Sequence, residues 1–283
     1  MASGEPTRWL VRFGYDGARF SGWARQPGLP TVEGTIRLGL CRKGIVRSED
    51  SARLEVASRT DRAVSARANA LAVSSSLSAE ALLHRLNGIS REVWFTAAAA
   101  VPESFRVRRA TRRTYRYFDP VSLVHGDLAE AAVAVLKGPV DARSFGRGVP
   151  NTGPRWVRLE SVRLLPWAEG HIVEVQAPFF VWGMVRKIVG ALRELDGGRL
   201  SLARIEKAVR GELRLTLPLA EPEGLVLWNV EYPVRWSVAW TGPNRHQATY
   251  CDHVVRSLET RKAVLRAIAP DKPANGAASL GEP

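Results

Sequence analysis

An acid set between two arginines is the first place in this chain where chemistry could be done. In Glu55-Val56-Ala57-Ser58-Arg59-Thr60-Asp61-Arg62-Ala63-Val64-Ser65-Ala66-Arg67, the Asp61 carboxylate lies between Arg59 and Arg62, and its other neighbours are small. Nearby cations favour the ionised acid, the form a nucleophile or general base requires. Asp after Thr is also a common turn-former, so this stretch alone leaves a cap and a catalytic acid both open. A second candidate is Arg186, inside the apolar run Met184-Val185-Arg186-Lys187-Ile188-Val189. An unpaired buried guanidinium is costly, so Arg186 either snorkels at a helix edge or meets a carboxylate. If that carboxylate is Asp61, the arginine fork would orient it and keep it ionised. A third candidate is Tyr115 in Thr114-Tyr115-Arg116-Tyr117-Phe118, where strand alternation puts the two tyrosines on one face and Arg116 on the other. That pattern suits a base stacked beside a phosphate path, or equally a core-facing tyrosine pair beneath a solvated basic face. Asp, Tyr and Arg beside a basic cleft would suit chemistry on a nucleobase.

Charge points the same way. The 283 residues carry a net charge of +13, with 35 Arg against six Lys. Codon bias exchanges Lys for Arg without adding charge, so the surplus itself favours a nucleic-acid partner. Arginine grips phosphate in a fork and stacks on bases, where lysine acts as a point charge. Phe145 to Arg155 is rich in Gly, Pro, Asn and Arg and reads as a long mobile loop, from which Arg147 and Arg155 could reach an RNA backbone. Cys41 and Cys251 are far apart and the five histidines are scattered, giving neither a disulfide framework nor a zinc spacing. No run approaches the roughly 18 apolar residues of a membrane span, and the start lacks the basic and apolar regions of a secretory signal. The expectation is a cytosolic protein without metal or cofactor.

The elements that must position these residues can be read from periodicity. Arg8 to Gly14 alternates as a strand, and Thr31 caps a helix whose apolar face is Val32, Ile36 and Leu40. Arg53 to Ala57 is a short strand that delivers Asp61 into a loop. Ala68 to Ser74 is a strand, Ser78 caps a helix, and Val93 to Val101 is a strand. Strand, helix, strand, strand, helix, strand is the split βαβ order of ferredoxin-like domains. The same order then repeats without repeated residue identity. Its parts are the tyrosine strand, a helix from Asp127 with an Asp127/Glu130 capping box, paired strands Arg158–Leu165 and Ile172–Ala177, an apolar helix starting at Phe179, a helix capped by Ser201, and a strand from Leu225 to Glu231. The domains expected are an N-terminal α/β half over 1–105 carrying the Asp loop and a C-terminal half over 106–250 carrying the Tyr strand and Arg helix. Residues 251–283 complete the chain as a helix and a disordered tail from Pro270.

Four segments carry a resemblance to a known family. Ser58-Arg59-Thr60-Asp61-Arg62-Ala63-Val64-Ser65-Ala66 closely resembles the signature of the TruA-type tRNA pseudouridine synthases. Tyr15-Asp16-Gly17, Phe20-Ser21-Gly22-Trp23, Gln26-Pro27 and Thr31-Val32-Glu33-Gly34 look like the family's opening. Tyr115-Arg116-Tyr117 looks like its tyrosine strand, and Phe180-Val181-Trp182-Gly183-Met184-Val185-Arg186 resembles its third motif. The resemblance implies an α/β fold of two ferredoxin-like or RRM-like halves. These would share a mixed, mainly antiparallel sheet with helices packed on it and a basic cleft between them. It implies isomerisation of uridine to pseudouridine in the tRNA anticodon arm at positions 38 to 40, without metal or cofactor, by a homodimer. Carried over, Asp61 is the catalytic acid, Tyr115 stacks on the target base, Arg186 pairs with Asp61, and Arg59 helps to hold the flipped nucleotide. Arg62, Arg116, Arg147 and Arg155 are the further substrate-binding candidates. Ser65 and Trp182 look like the archaeal and eukaryotic branch. Ala63 stands where bacterial members have glycine, and a positive φ there would strain an alanine. The alternatives are a non-catalytic RNA-binding protein of the same fold, or a synthase with another RNA target.

Overall fold

The fold starts at β1 (Thr7–Tyr15), a strand buried on both faces, on which Trp9, Val11, Phe13 and Tyr15 share one face and Arg8 and Leu10 the other. The computed structural model describes residues 5–239 and 245–268. α1 (Val32–Arg42) follows, with the Thr31 hydroxyl accepting from the Gly34 amide at 3.2 Å. Then come β2 (Glu55–Val56), β3 (Ser65–Ser75), α2 (Ala79–Asn87) and β4 (Val93–Ala100). The Phe13 ring centroid lies 5.7, 5.7 and 5.9 Å from those of Tyr15, Trp23 and Phe95. Each such buried aromatic contributes about 1.5–3 kcal/mol. This ring cluster therefore fixes β1 against the 20–23 loop and β4.

The second run of elements is β5 (Arg112–Asp119), α3 (Gly126–Leu136), β6 (Gly138–Asp141), α4 (Ala142–Phe145), β7 (Trp156–Leu159), β8 (Ser161–Trp167) and β9 (Gly170–Ala177). It continues with α5 (Met184–Asp196), α6 (Leu202–Val209), β10 (Leu225–Glu231) and β11 (Val238–Ala239). Among the described residues, nine strands form one sheet in the order β11-β4-β1-β3-β10-β5-β9-β8, with β2 also on β3. Every pairing is antiparallel except β3 with β10, which run parallel at Ser65–Ala66 and Val226–Leu227. The two halves have the same strand order: β4-β1-β3-β2 in the first and β10-β5-β9-β8 in the second. The expected repetition of element order is thus a repetition of topology. The fold is mixed α/β on a mainly antiparallel sheet, and the last strand of the second half joins the halves at β3.

Residues 1–242 and 243–283 form separate compact units. In the second, α7 (Arg245–Ile268) starts before residue 251, where the C-terminal helix was expected, and it exposes Val255, Leu258, Leu265 and Ile268. The tail expected from Pro270 lies outside the described residues.

Three local expectations differ from the structure. The Asp127/Glu130 capping box does not form, because the N-cap of α3 is His125. The amides of Val124 and His125 are instead satisfied by the Asp196 carboxylate from the end of α5, at 3.0 and 2.7 Å. α5 starts at Met184 rather than Phe179, because Gly183 has φ +74 and turns the chain before the helix. The strand expected over Arg158–Leu165 is two strands, β7 and β8, on separate sheets: β6 and β7 form a two-stranded sheet flanking the expected loop, β8 joins the main sheet, and β11 extends that sheet beyond β4.

Candidate active site

The loop carrying Asp61 is held from three sides before any question of chemistry arises. β2 enters it on the β3 edge, with the Ala57 amide donating to Ala70 O at 2.8 Å. From below, the Asn69 side chain donates to Ser58 O at 2.9 Å. From the chain's opening, the Trp23 amide donates to Thr60 O at 3.0 Å and the Tyr15 hydroxyl meets Thr60 Oγ1 at 2.8 Å. The Gly17 amide donates to Ser65 Oγ at 3.0 Å. A Cβ on Gly17 would lie 2.3 Å from the Val64 backbone, so only glycine allows that approach. The Tyr15-Asp16-Gly17 and Phe20-to-Trp23 segments therefore cradle the acid loop. Ala63 adopts φ +65, one of two non-glycine residues at positive φ among the described residues. The strain expected of alanine there is present.

The third side is Arg113. It shares a face of β5 with Tyr115 and Tyr117 and is buried. Its guanidinium donates to Ser58 Oγ at 2.9 Å, Ala57 O at 3.1 Å, Arg108 O at 2.8 Å and Pro178 O. Burial lowers its pKa, because the charged form loses hydration. One side chain thus ties the acid loop of the first half to β5 and to the end of β9 in the second.

The third motif brings the partner groups. Phe180 packs edge-on against Tyr115, centroids 5.0 Å apart. The left-handed turn at Gly183 then starts α5, which carries Arg186. Arg186 Nη1 is 3.6 Å from Asp61 Oδ2, while its Nε donates to Ala220 O at 2.6 Å. At 3.6 Å the contact is an ion pair and not a hydrogen bond. The short bond to the carboxylate comes from elsewhere: Trp182 Nε1 donates to Asp61 Oδ1 at 2.8 Å. The Arg147 guanidinium lies over the Trp182 ring, 4.0 Å from its centroid.

These groups face a cleft of about 540 Å³ lined from both halves, by Arg59, Asp61, Tyr115, Phe180, Trp182 and Arg186 among others. Asp61 remains 36% exposed at its side chain, so it is reachable, whereas Arg186 is 13% exposed. Burial pushes the Tyr115 phenol up to about 12, against the opposing pull of the Arg113 cation. The phenol is therefore neutral at physiological pH. A second cavity, lined by Arg62, Arg147 and Glu223, shares Asp61, Trp182 and Arg186 with the first.

Of the residues singled out in the sequence, Asp61, Tyr115, Arg186 and Arg59 meet at the first cleft, and Arg62 and Arg147 at the second cavity. Arg116 is on the opposite face of the sheet, bonded to the buried Glu174 at 2.7 Å and stacked on Trp228. Arg155 is exposed beside the β6–β7 ribbon, and its amide donates to Asp141. Arg113 and the Trp182 donor were not singled out. The parity of Arg113 with Tyr115 and Tyr117 was a signal for the first; nothing in sequence spacing marks an indole that reaches across 121 residues. Among the described residues, no three His, Cys, Asp or Glu side chains converge as a metal ion would need.

A reachable carboxylate and a neutral tyrosine in an arginine-lined cleft, on a chain of net charge +13, are the makings of an enzyme that works on a nucleic acid. Comparison with known proteins narrows the class. A family model described as tRNA pseudouridine synthase matches residues 132–233. The chain is 36% identical over 233 residues to the tRNA pseudouridine synthase A of Thermococcus onnurineus, covering 80% of this chain and 85% of that one. It is 35% identical over 229 residues to the enzyme of that name from Pyrococcus abyssi, with 80% and 84% covered. Against that of Methanothermobacter thermautotrophicus it is 32% identical over 228 residues, with 80% and 81% covered. The chain belongs to the TruA-type tRNA pseudouridine synthases, isomerases that convert uridine to pseudouridine in tRNA.

Proposed function

We propose that this enzyme modifies uridines of the tRNA anticodon arm, at positions 38 to 40, with Asp61 as the catalytic acid. The observation that carries the reading is the convergence of Asp61, Arg186 and Tyr115 from three distant segments on one cleft. In this reaction the N1–C1′ bond breaks, the base turns, a C5–C1′ bond forms, the C5 proton leaves and N1 takes up a proton, so that the product is an isomer of the substrate. The base must first leave its stack, at a cost of a few kcal/mol. Stacking on Tyr115, worth about 1–3 kcal/mol, offsets part of that, and phosphate contacts from Arg59, Arg62 and Arg147 supply more. Asp61, paired with Arg186, acts at the sugar or the base. The halves over 1–105 and 106–250 are read as lobes flanking the RNA, with 251–283 appended.

The reading includes a cytoplasmic homodimer. No helix among the described residues is long and apolar enough to cross a membrane. The exposed stripe Val255, Leu258, Leu265 and Ile268 on α7 offers surface for a second copy. The test of target is position-resolved mapping of pseudouridine in unmodified tRNA treated with the enzyme. Modification at 38 to 40 is expected; modification confined to another arm would replace the anticodon arm as the target.

A further inference from the structure

The pairing of Asp61 with Arg186 leaves the carboxylate poorly held. Arg186 approaches only to 3.6 Å, and its Nε is occupied by Ala220 O. Asp61 stands on a loop and is about one-third exposed, so an ion pair at that distance allows the carboxylate to swing. A short hydrogen bond reaches it from the Trp182 indole, 2.8 Å from Oδ1. Trp182 is itself 53% exposed. What holds the ring is visible: Arg147 covers it at 4.0 Å, and the Arg147 amide donates to Trp182 O at 2.7 Å. Gly183, with φ +74, turns the chain between Trp182 and the helix that follows.

We propose that Trp182 is a positioning residue for the reaction: its indole N–H fixes the rotamer of the Asp61 carboxylate, and Arg147 keeps the indole in place. The inference rests on Asp61 being the catalytic acid. An indole is suited to this work because it donates a hydrogen bond without carrying charge or accepting the proton. It therefore orients Asp61 without adding a charge of its own. By engaging Oδ1 it also determines which oxygen remains for the nucleotide. The ring forms part of the wall of both cavities, the one beside Tyr115 and the one beside Arg62 and Arg147.

The test compares Trp182→Phe, Trp182→His and Asp61→Asn with wild type, using steady-state pseudouridine formation on tRNA. Trp182→Phe keeps a ring for Arg147 to cover but removes the donor. A fall in kcat of about 10- to 100-fold is expected, the scale on which a misplaced catalytic group is felt, with KM within about twofold. Trp182→His returns an N–H and should recover part of the lost kcat. A raised KM with unchanged kcat in Trp182→Phe would overturn the inference, making the ring a stacking surface only. Wild-type kcat in Trp182→Phe beside an inactive Asp61→Asn would also overturn it while leaving the Asp61 reading standing. Turnover by Asp61→Asn would remove that reading and the inference with it. Melting curves accompany each variant. If Trp182→Phe melts early, the His variant decides: recovery supports a donor role, and a kcat no better than that of Phe opposes it.

Discussion

At the residue scale, the cleft holds one acid that is reachable and one phenol that keeps its proton. Asp61 sits beside Arg186 in the open cleft, and burial holds the Tyr115 hydroxyl neutral up to about 12. A folded-state pKa raised above the ordinary value of about 10 keeps the proton on, so no limb of a pH–rate profile in the physiological range belongs to Tyr115. Tyr115→Phe is therefore expected to keep kcat within about tenfold, with an unchanged profile, as a stacking role requires. A large loss with a shifted alkaline limb would give the hydroxyl a role in proton transfer. Ala63 makes a separate point. At φ +65 an alanine carries about 1–2 kcal/mol of strain. Glycine removes this at an entropic cost of about 0.5–1 kcal/mol. Ala63→Gly should therefore raise stability by up to about 1 kcal/mol, seen as a melting temperature higher by about 2 °C.

At the element scale, Arg113 connects the parts. Its four acceptors lie on the acid loop, on the segment before β5 and at the end of β9, and no carboxylate is among them. A buried cation neutralised only by dipoles is a costly arrangement that the fold retains where it joins the halves. Arg113→Met removes that cost but orphans the acceptors, each worth about 1–3 kcal/mol if left unpaired. A net loss of about 2–4 kcal/mol in denaturant unfolding is expected, with lower kcat in the protein that remains folded. Unchanged stability together with unchanged kcat would remove Arg113 from the support of the site.

Much of this scale was legible in advance. Period-two alternation placed β1, β5 and β9, and Thr31 and Ser78 marked their helix starts by capping chemistry that the structure reproduces. The sequence marked Asp61 as an acid between two arginines, Arg186 as a cation in an apolar run and Tyr115 as one of an alternating pair, and all three line one cleft. What was not legible depends on distant partners. Asp196 caps α3 from another helix, so Asp127 and Glu130 misled. Gly183 sets the start of α5 by a backbone angle that the apolar run Phe179–Trp182 could not reveal through composition. Trp182 touches Asp61 only because two halves meet.

At the scale of the whole molecule, charge makes tRNA binding a salt-dependent process. With a net charge of +13, log K for tRNA should fall linearly with log salt, each phosphate contact adding about 0.9 to the slope. Arg62 lines the second cavity, so Arg62→Gln should flatten that slope by about one contact. Arg116 is committed to Glu174 on the opposite face, so Arg116→Gln should leave it unchanged. A reversed pattern would place the RNA path on the other face of the sheet. The central claim, that Asp61 performs uridine isomerisation in this cleft, is tested most directly by tritium release from tRNA carrying C5-tritiated uridine, with wild type and Asp61→Asn side by side. Release by wild type alone, with Asp61→Asn still binding tRNA, is the predicted result. Comparable release by both would contradict the assignment of Asp61.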